Sequence, residues 1–338
     1  MAAKVLVTGA TGFIGRRLCT RLLADGNDVR ALLLPHESPD ALRADAESAG
    51  RPEAIEFARG DIIDDHSVTR AVAGVDRVYH LAAAVGDWGD PGHFWQVNVE
   101  GTRHVLDAAA ATGCERVLMV SSIVVYGMQL RRGVCREDAP MAYGVGPYSK
   151  TKRASEALAR DYHDMGRVPV TVVRPGNVYG AHSRLWVHVL ADLLRRGQGL
   201  LIDGGRGDAA MAYVDNVVDV IARAADTPAA AGRIYNATDG SRITWRQYMT
   251  DLAHLVGARP PFLVVPFLAA QALAITMERG ARLLRRRNRP LLTHEAVLLL
   301  ASRQTVPITR AERELGYQPI AYHDAMARVA AHLQEGSP

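Results

Sequence analysis

Lysine is scarce in this 338-residue chain: only Lys4, Lys150 and Lys152 occur, against 37 Arg. Basic and acidic side chains otherwise nearly balance, at a formal +4, and only 6% of residues are aromatic. A nucleic-acid footprint needs a long basic stripe interleaved with aromatics, so nucleic acid is excluded as the expected partner. Cysteine is nearly missing too. Cys19, Cys114 and Cys135 are odd in number and lack CxxC spacing, which excludes a disulfide scaffold and a cysteine-based zinc site. Long apolar runs are also absent. The longest, Phe262 to Met277, is interrupted by Pro266 and Gln271 and falls short of the roughly 20 residues of a spanning helix. Val5-Leu6-Val7 ends at once in Thr8-Gly9, too short for a secretory signal. The expected setting is the reducing cytoplasm. At 48% hydrophobic and 22% charged, the chain is an ordinary globular one, long enough for one large domain plus a smaller appended one.

What is present is alternation. Lys4–Thr8, Asp28–Leu34, Ala54–Ala58, Arg77–Ala82 and Arg116–Ser121 read as apolar strands, with helical periodicity over Phe13–Ala24, His66–Ala73 and Phe94–Ala111. Continuously apolar strands separated by helices predict an α/β fold, a doubly wound parallel sheet covered on both faces. Beyond residue 180 the alternation loosens. Leu185–Arg196 predicts a helix, Ala212–Val214 a short strand, and Thr244 with Gln247 a capping box opening a helix to Val256. The expected division is a dinucleotide-binding and catalytic domain over 1–180 and a smaller α/β substrate cap over 181–338, with some elements returning to the first.

At the first strand-to-helix turn stands Thr8-Gly9-Ala10-Thr11-Gly12-Phe13-Ile14-Gly15. A dinucleotide needs a tight turn there, close backbone approach to pyrophosphate, and helix N–H groups aimed at the anion. The spacing is GxxGxxG. An NAD site usually adds a carboxylate at the end of the second strand. Here that position reads Leu33-Leu34-Pro35-His36, with no Arg suited to a 2′-phosphate either, so NAD and NADP both stay open.

Two of the three lysines fall in Tyr148-Ser149-Lys150-Thr151-Lys152, opening a helix predicted to run to about Asp161. Tyr148 and Lys152, four apart, share one helical face. A compact ammonium beside a phenol favours the phenolate, as acid–base work near neutral pH requires. Val120-Ser121-Ser122 closes the fifth strand at the carboxyl edge of the sheet, where such folds bind ligands.

Together these segments resemble the extended short-chain dehydrogenases/reductases. The pieces are TGATGFIG at 8–15, Gly60-Asp61-Ile62, His80-Leu81-Ala82-Ala83, Asn98-Val99-Glu100-Gly101-Thr102, VSSIVVYG at 120–127, the Tyr148–Lys152 segment and RPGNVYG at 174–180. The resemblance implies an NAD(P)-dependent oxidoreductase with Ser122, Tyr148 and Lys152 as catalytic residues. It further implies cofactor contacts from Gly9, Thr11, Gly12, Phe13, Ile14, Gly15, Asp61, Ile62, Leu81, Ala82, Ala83, Asn98, Tyr148, Lys152, Pro175 and Gly176.

Within that family, Ala83–Gly89, Tyr235–Gly240 and the ending Arg313–Pro319 are similar to the 3β-hydroxysteroid and sterol-4-carboxylate dehydrogenase branch. An apolar steroid-like or lipid-like small molecule is the implied substrate, with Val85, Trp88, Tyr126 and Asn177 as candidate contacts. The alternative is a nucleotide-sugar epimerase or dehydratase. Asn177 speaks for it; Ala209, standing where that branch carries a diphosphate-binding Arg, speaks against it. A silent dinucleotide-binding sensor or scaffold is the non-enzymatic alternative, opposed by the complete Ser–Tyr–Lys set. Tyr179, Trp186 and Met128 are further candidates for an apolar pocket. His182 and His188, six apart, suit no helical metal site, and no metal is expected. The apolar run with Arg279, Arg282, Arg285, Arg286, Arg287 and Arg289 makes 262–289 a candidate peripheral membrane contact. The resemblance also implies a homodimer.

Overall fold

The computed structural model describes residues 2–131, 133–142, 144–284, 286 and 288–335, so the expectation for Arg285 and Arg287 lies outside the described residues. Six strands follow one another through the first half: β1 (Lys4–Thr8), β2 (Asp28–Leu33), β3 (Ile55–Arg59), β4 (Arg77–His80), β5 (Arg116–Val120) and β6 (Val170–Pro175). The second half adds β7 (Asn177–Tyr179), β8 (Leu200–Ile202), β9 (Met211–Tyr213), β10 (Ile234–Ala237) and β11 (Leu263–Val265). β10 returns beside β6, giving a seven-stranded parallel sheet in the order β10-β6-β5-β4-β1-β2-β3. The chain reverses direction across the sheet between β1 and β4, which opens a crevice at their carboxyl ends. All five residues of β5 are buried, as expected of a strand with helices on both faces.

The first-half helices are α1 (Phe13–Ala24), α2 (Asp40–Ser48), α3 (Asp65–Val72), α4 (Pro91–Trp95), α5 (Gly101–Thr112) and α6 (Pro147–Asp164). The second half supplies α7 (Leu190–Arg195), α8 (Val214–Asp226), α9 (Trp245–Leu255), α10 (Phe267–Leu283), α11 (His294–Leu300), α12 (Thr309–Leu315) and α13 (Tyr322–Glu335). One face of the sheet is packed by α1 and α8, through Leu18, Leu22, Val217 and Ile221. The other carries α3, α5 and α6, through Val68, Val105, Leu106 and Tyr162. A third core, built on Tyr179, Tyr213, Tyr248, Trp245 and Tyr322, holds the second half together beside the sheet. Thr244 caps α9 as expected, its Oγ1 accepting from Gln247 N at 3.1 Å.

The helix predicted over Phe94–Ala111 differs in one respect. Between α4 and α5, residues 96–100 form a π-helical turn. The extra residue per turn rotates Asn98 inward, to 2% exposure.

Candidate functional site

The glycine-rich turn is shaped by what cannot fit. Gly9 has φ +69, and a Cβ there would meet Ala82 N at 2.8 Å, so this turn packs directly on the loop after β4. A Cβ on Gly15 would overlap the Gly9 carbonyl, which explains the third glycine of the spacing. The α1 N-terminus therefore opens on bare backbone, the cradle a pyrophosphate requires. These residues fit a dinucleotide. Phe13 packs towards Gly180 and joins the cap core with Ile14, fastening the turn to the second half.

Beneath the turn runs a buried polar chain. Thr8 Oγ1 accepts from Leu81 N and Ala82 N, both at 3.2 Å, and donates to His80 Nδ1 at 2.9 Å. His80 Nε2 lies 3.0 Å from Thr102 Oγ1, whose hydroxyl donates to Asn98 O at 2.7 Å. Because Thr102 has spent its one proton, Nε2 must donate, which assigns the neutral tautomer. Burial, with the Lys152 ammonium adding, pushes the His80 imidazole down to about 3, so it stays neutral. Asn98 then joins two loops: Oδ1 accepts from Ala84 N at 2.7 Å, and Nδ2 donates to Ala84 O and to Thr151 Oγ1. Leu81–Ala84 is thereby tied to the helix that carries Tyr148 and Lys152.

At the carboxyl end of β5 the two serines diverge. Ser121 is buried and donates to Glu156 Oε2 at 2.6 Å. Ser122 is partly exposed; its Oγ accepts from Val124 N at 3.3 Å and stands close enough to act on the Tyr148 phenol. Lys152 is 5% exposed and donates from Nζ to Val120 O at 2.7 Å, which anchors its ammonium at the end of the same strand. Burial lowers that ammonium to about 8, opposed by the Glu156 carboxylate four residues on. Burial pushes the Tyr148 phenol up to about 12; the Glu295 carboxylate adds to the rise and Ser122 opposes it. The expected lowering of the phenol by Lys152 is thus not built into the protein alone, because the ammonium is turned to the β5 carbonyl.

Several residues around the site escaped sequence reasoning. Past the end of β2, Glu37 brings in a carboxylate that the reading of Leu33–His36 had missed. Its Oε1 accepts from Thr11 Oγ1 at 2.6 Å and its Oε2 from Leu34 N at 2.8 Å, so the loop after β2 folds a carboxylate back onto the glycine-rich turn. Arg59 leans on the same loop, donating to Leu34 O and Glu37 O. Glu295, on α11, reaches the N-terminus of α6, where Oε1 accepts from Ser149 N at 3.0 Å. A Cβ on Gly146 would occupy the place of Glu295 Oε2, so only glycine permits that approach. Only the carboxylate–ribose rule, applied four residues further along, carried any signal in the sequence; Glu295 carried none.

The candidate substrate residues separate. Val85 is exposed, and Trp88 is partly buried with the Arg282 guanidinium 5.6 Å above its ring. Tyr126 and Asn177 require correction. Tyr126 is fully buried, its hydroxyl donating to Asn236 Oδ1 at 2.8 Å and accepting from Arg174, while Asn177 is buried with Nδ2 donating to Ala209 O at 2.6 Å. Tyr179 and Trp186 belong to the cap core rather than to a pocket wall. Met128 lines a cavity of about 630 Å³ with Arg131, Asp203, Pro266, Phe267 and Leu268, but Ser122, Tyr148 and Lys152 do not border it. Asp61 turns its carboxylate to Ile63 N, Ile62 is buried against Gly101, and Pro175-Gly176 packs on Ala210 and Thr238 at the end of β6.

Residues 5–238 match the family described as NAD dependent epimerase/dehydratase. The chain is 30% identical over 338 residues to a 2-alkyl-3-oxoalkanoate reductase of Stenotrophomonas maltophilia (strain K279a), covering 97% of this chain and 98% of that protein. It is 30% identical over 316 residues to the 4-hydroxy-2-methyl-3-oxo-4-farnesyl-3,4-dihydroquinoline-1-oxide ketoreductase of Stigmatella aurantiaca, covering 93% of this chain and 91% of that one. The crystal structure of gox2253 shares the fold at a TM-score of 0.81 and 24% identity, over 98% of both chains. A glycine cradle at the β1–α1 turn, a Ser–Tyr–Lys set at the opposite lip of the crevice, and a family match across more than half the chain agree. The chain belongs to the NAD dependent epimerase/dehydratase family, within the extended short-chain dehydrogenases/reductases, and is an NAD(P)-dependent enzyme.

Proposed function

We propose that this enzyme interconverts a ketone and a secondary alcohol on an apolar, lipid-like substrate, with Tyr148 as acid–base. The observation that carries the reading is the convergence at the carboxyl edge of the sheet of Ser122, which closes β5 and acts on the Tyr148 phenol, with Lys152 on the same helix as Tyr148, its ammonium anchored on Val120 O at 2.7 Å. Two hydroxyls meeting at the sheet edge bracket a position for a substrate oxygen. Ser122 holds that oxygen. Tyr148 gives it a proton in the reducing direction and takes one in the oxidising direction, and Lys152 favours the phenolate left behind. The bound nicotinamide supplies or accepts the hydride at the neighbouring carbon.

The substrate class is supported by the two relatives, whose names specify a ketone on an alkyl chain and a ketone on a farnesyl-bearing ring. A nucleotide sugar is disfavoured on this chain's own residues. Ala209 is fully buried and offers no guanidinium, and the Asn177 amide is committed to the Ala209 carbonyl. NAD is the proposed cofactor. Glu37 lies against Thr11 on the β1–α1 turn, where a carboxylate accepts bonds from ribose hydroxyls and repels a 2′-phosphate. In a cofactor titration followed by protein fluorescence, Glu37→Gln is expected to narrow the NAD-over-NADP preference by roughly tenfold.

Absorbance at 340 nm tests the activity, using NAD or NADP with long-chain 3-oxo acids, 3β-hydroxysteroids and UDP-sugars. Net cofactor turnover on the apolar ketones or alcohols is expected. Tyr148→Phe should lose at least roughly 10²-fold in turnover, with cofactor affinity unchanged. UDP-sugar conversion without net absorbance change would overturn the reading in favour of an epimerase.

A further inference from the structure

We propose that residues 262–291 form a docking face for an anionic lipid bilayer. Two observations meet there. The first is charge: residues 262–289 hold six Arg and one Glu, a formal +5 in a chain whose total is +4, so the rest of the protein is close to neutral. The second is apolar exposure. Phe262 is 83% exposed, Leu268 76% and Leu283 85%, with Leu263, Val264, Leu273, Leu284 and Leu291 also exposed.

α10 explains how one segment presents both. Its buried stripe is only Ala270, Ala274 and Ala281, small residues that seat the helix flat on the protein. The opposite ridge carries Leu268, Ala269, Ala272 and Leu273, then Thr276, and from Arg279 onward becomes basic. A solvated cap helix turns a polar face outward, whereas this one turns aliphatic side chains outward over its first two turns. At 17 residues it spans about 25 Å along the surface, and among the described residues no helix is long and apolar enough to cross a membrane. The arrangement suits a helix lying in the interface, with leucines among the acyl chains and guanidiniums on phosphates. The single acid is already engaged: Glu278 Oε1 accepts from His294 N at 2.7 Å, and its Oε2 lies 3.9 Å from Arg282. Arg279 and Arg286 are exposed.

The face is also joined to the site. Arg289 pairs with Asp87 at 2.5 Å, Thr293 donates to the same carboxylate, and Arg282 covers Trp88. The loop after β4, with exposed Val85, is therefore tied to the docking segment. Docking itself does not depend on which ketone is reduced.

Vesicle flotation of the full chain tests this, with phosphatidylcholine alone or containing about one third phosphatidylglycerol, at low and high salt. Wild-type protein is expected to float with the anionic vesicles, roughly tenfold less with neutral ones, and less as salt rises. Leu268→Glu with Leu273→Glu, and separately Arg279→Glu with Arg286→Glu, should each lower the bound fraction roughly tenfold. Cofactor affinity and melting temperature should not change, because all four side chains are exposed. Failure of wild-type protein to float at low salt would overturn the proposal, as would undiminished binding of either double variant. A dimer on light scattering that Leu268→Glu with Leu273→Glu dissolves would assign the face to a second copy instead.

Discussion

Two buried carboxylates, one within α6 and one at its N-terminus, are satisfied in different ways. Glu156, near its middle, is fully enclosed. It takes Arg174 through Nε at 3.1 Å and Nη2 at 2.5 Å, and Ser121 at 2.6 Å. Arg174 in turn donates to the Tyr126 hydroxyl, which leads to Asn236 and the backbone of Cys135 and Pro307. Glu295, at the N-terminus of α6, accepts at Oε1 from Ser149 N and leaves Oε2 buried without a partner among the described residues. Burial pushes its carboxyl up to about 7, opposed by Ser149 and with the Asp87 and Glu278 carboxylates adding. The first acid is held at both oxygens by a guanidinium; the second is lifted towards neutrality by burial, and its charge acts on Tyr148. A buried carboxylate is rigid when a guanidinium matches both its oxygens, and switchable when only a backbone N–H does.

The sharpest way to break that contrast is to strip Glu156 of its partner. Arg174→Met leaves a buried, uncompensated carboxylate and should cost about 3–5 kcal/mol in urea denaturation, with much of it regained in Arg174→Met/Glu156→Leu. Equal stability of the single and double variants would show that the Arg174–Glu156 pair is not the buried tie described. Next comes Glu295→Gln. In wild-type protein the folded state keeps this proton up to about pH 7, whereas the unfolded chain releases it near 4.5. Wild-type stability from this group is therefore complete below pH 4.5 and lost as pH rises through 7. The glutamine variant should overtake wild type by about 3 kcal/mol at pH 8 and match it at pH 4.5, checked by denaturation at both values. A pH-independent difference would remove the titration. The smallest effects divide the adjacent serines. Ser121→Ala should lower stability by about 1–2 kcal/mol with turnover nearly intact. Ser122→Ala should leave the melting curve in place and slow turnover roughly 10²-fold, about 2.7 kcal/mol of barrier. The reverse pattern would exchange their roles.

Much of this was legible along the chain because it is local. The βαβ alternation, the GxxGxxG turn and the Tyr148–Lys152 spacing are each written within a few residues, and periodicity or sterics alone reads them. Ser122 was favoured over Ser121 by family pattern, and the structure adds the physical ground that Ser121 is committed to Glu156. Tyr126 went wrong for an equally physical reason. Its position in VSSIVVYG says nothing of Arg174 and Asn236, which lie 48 and 110 residues away and draw its hydroxyl into the core. Glu37 was overlooked because a loop, not a strand end, delivers it to Thr11.

By itself, then, the sequence determined the alternating layers, the glycine cradle and the placing of Tyr148 and Lys152 one turn apart on a single helix, since each depends on backbone periods and on the missing Cβ of glycine. Tertiary structure alone decided which acids lie beside Tyr148, which serine is drawn into the core by Glu156, and which apolar residues reach the surface. Those outcomes depend on segments as distant as Ser149 and Glu295, or Asp87 and Arg289, brought together only when the sheet and its cap close. Charge and desolvation act through space, and no local pattern encodes them.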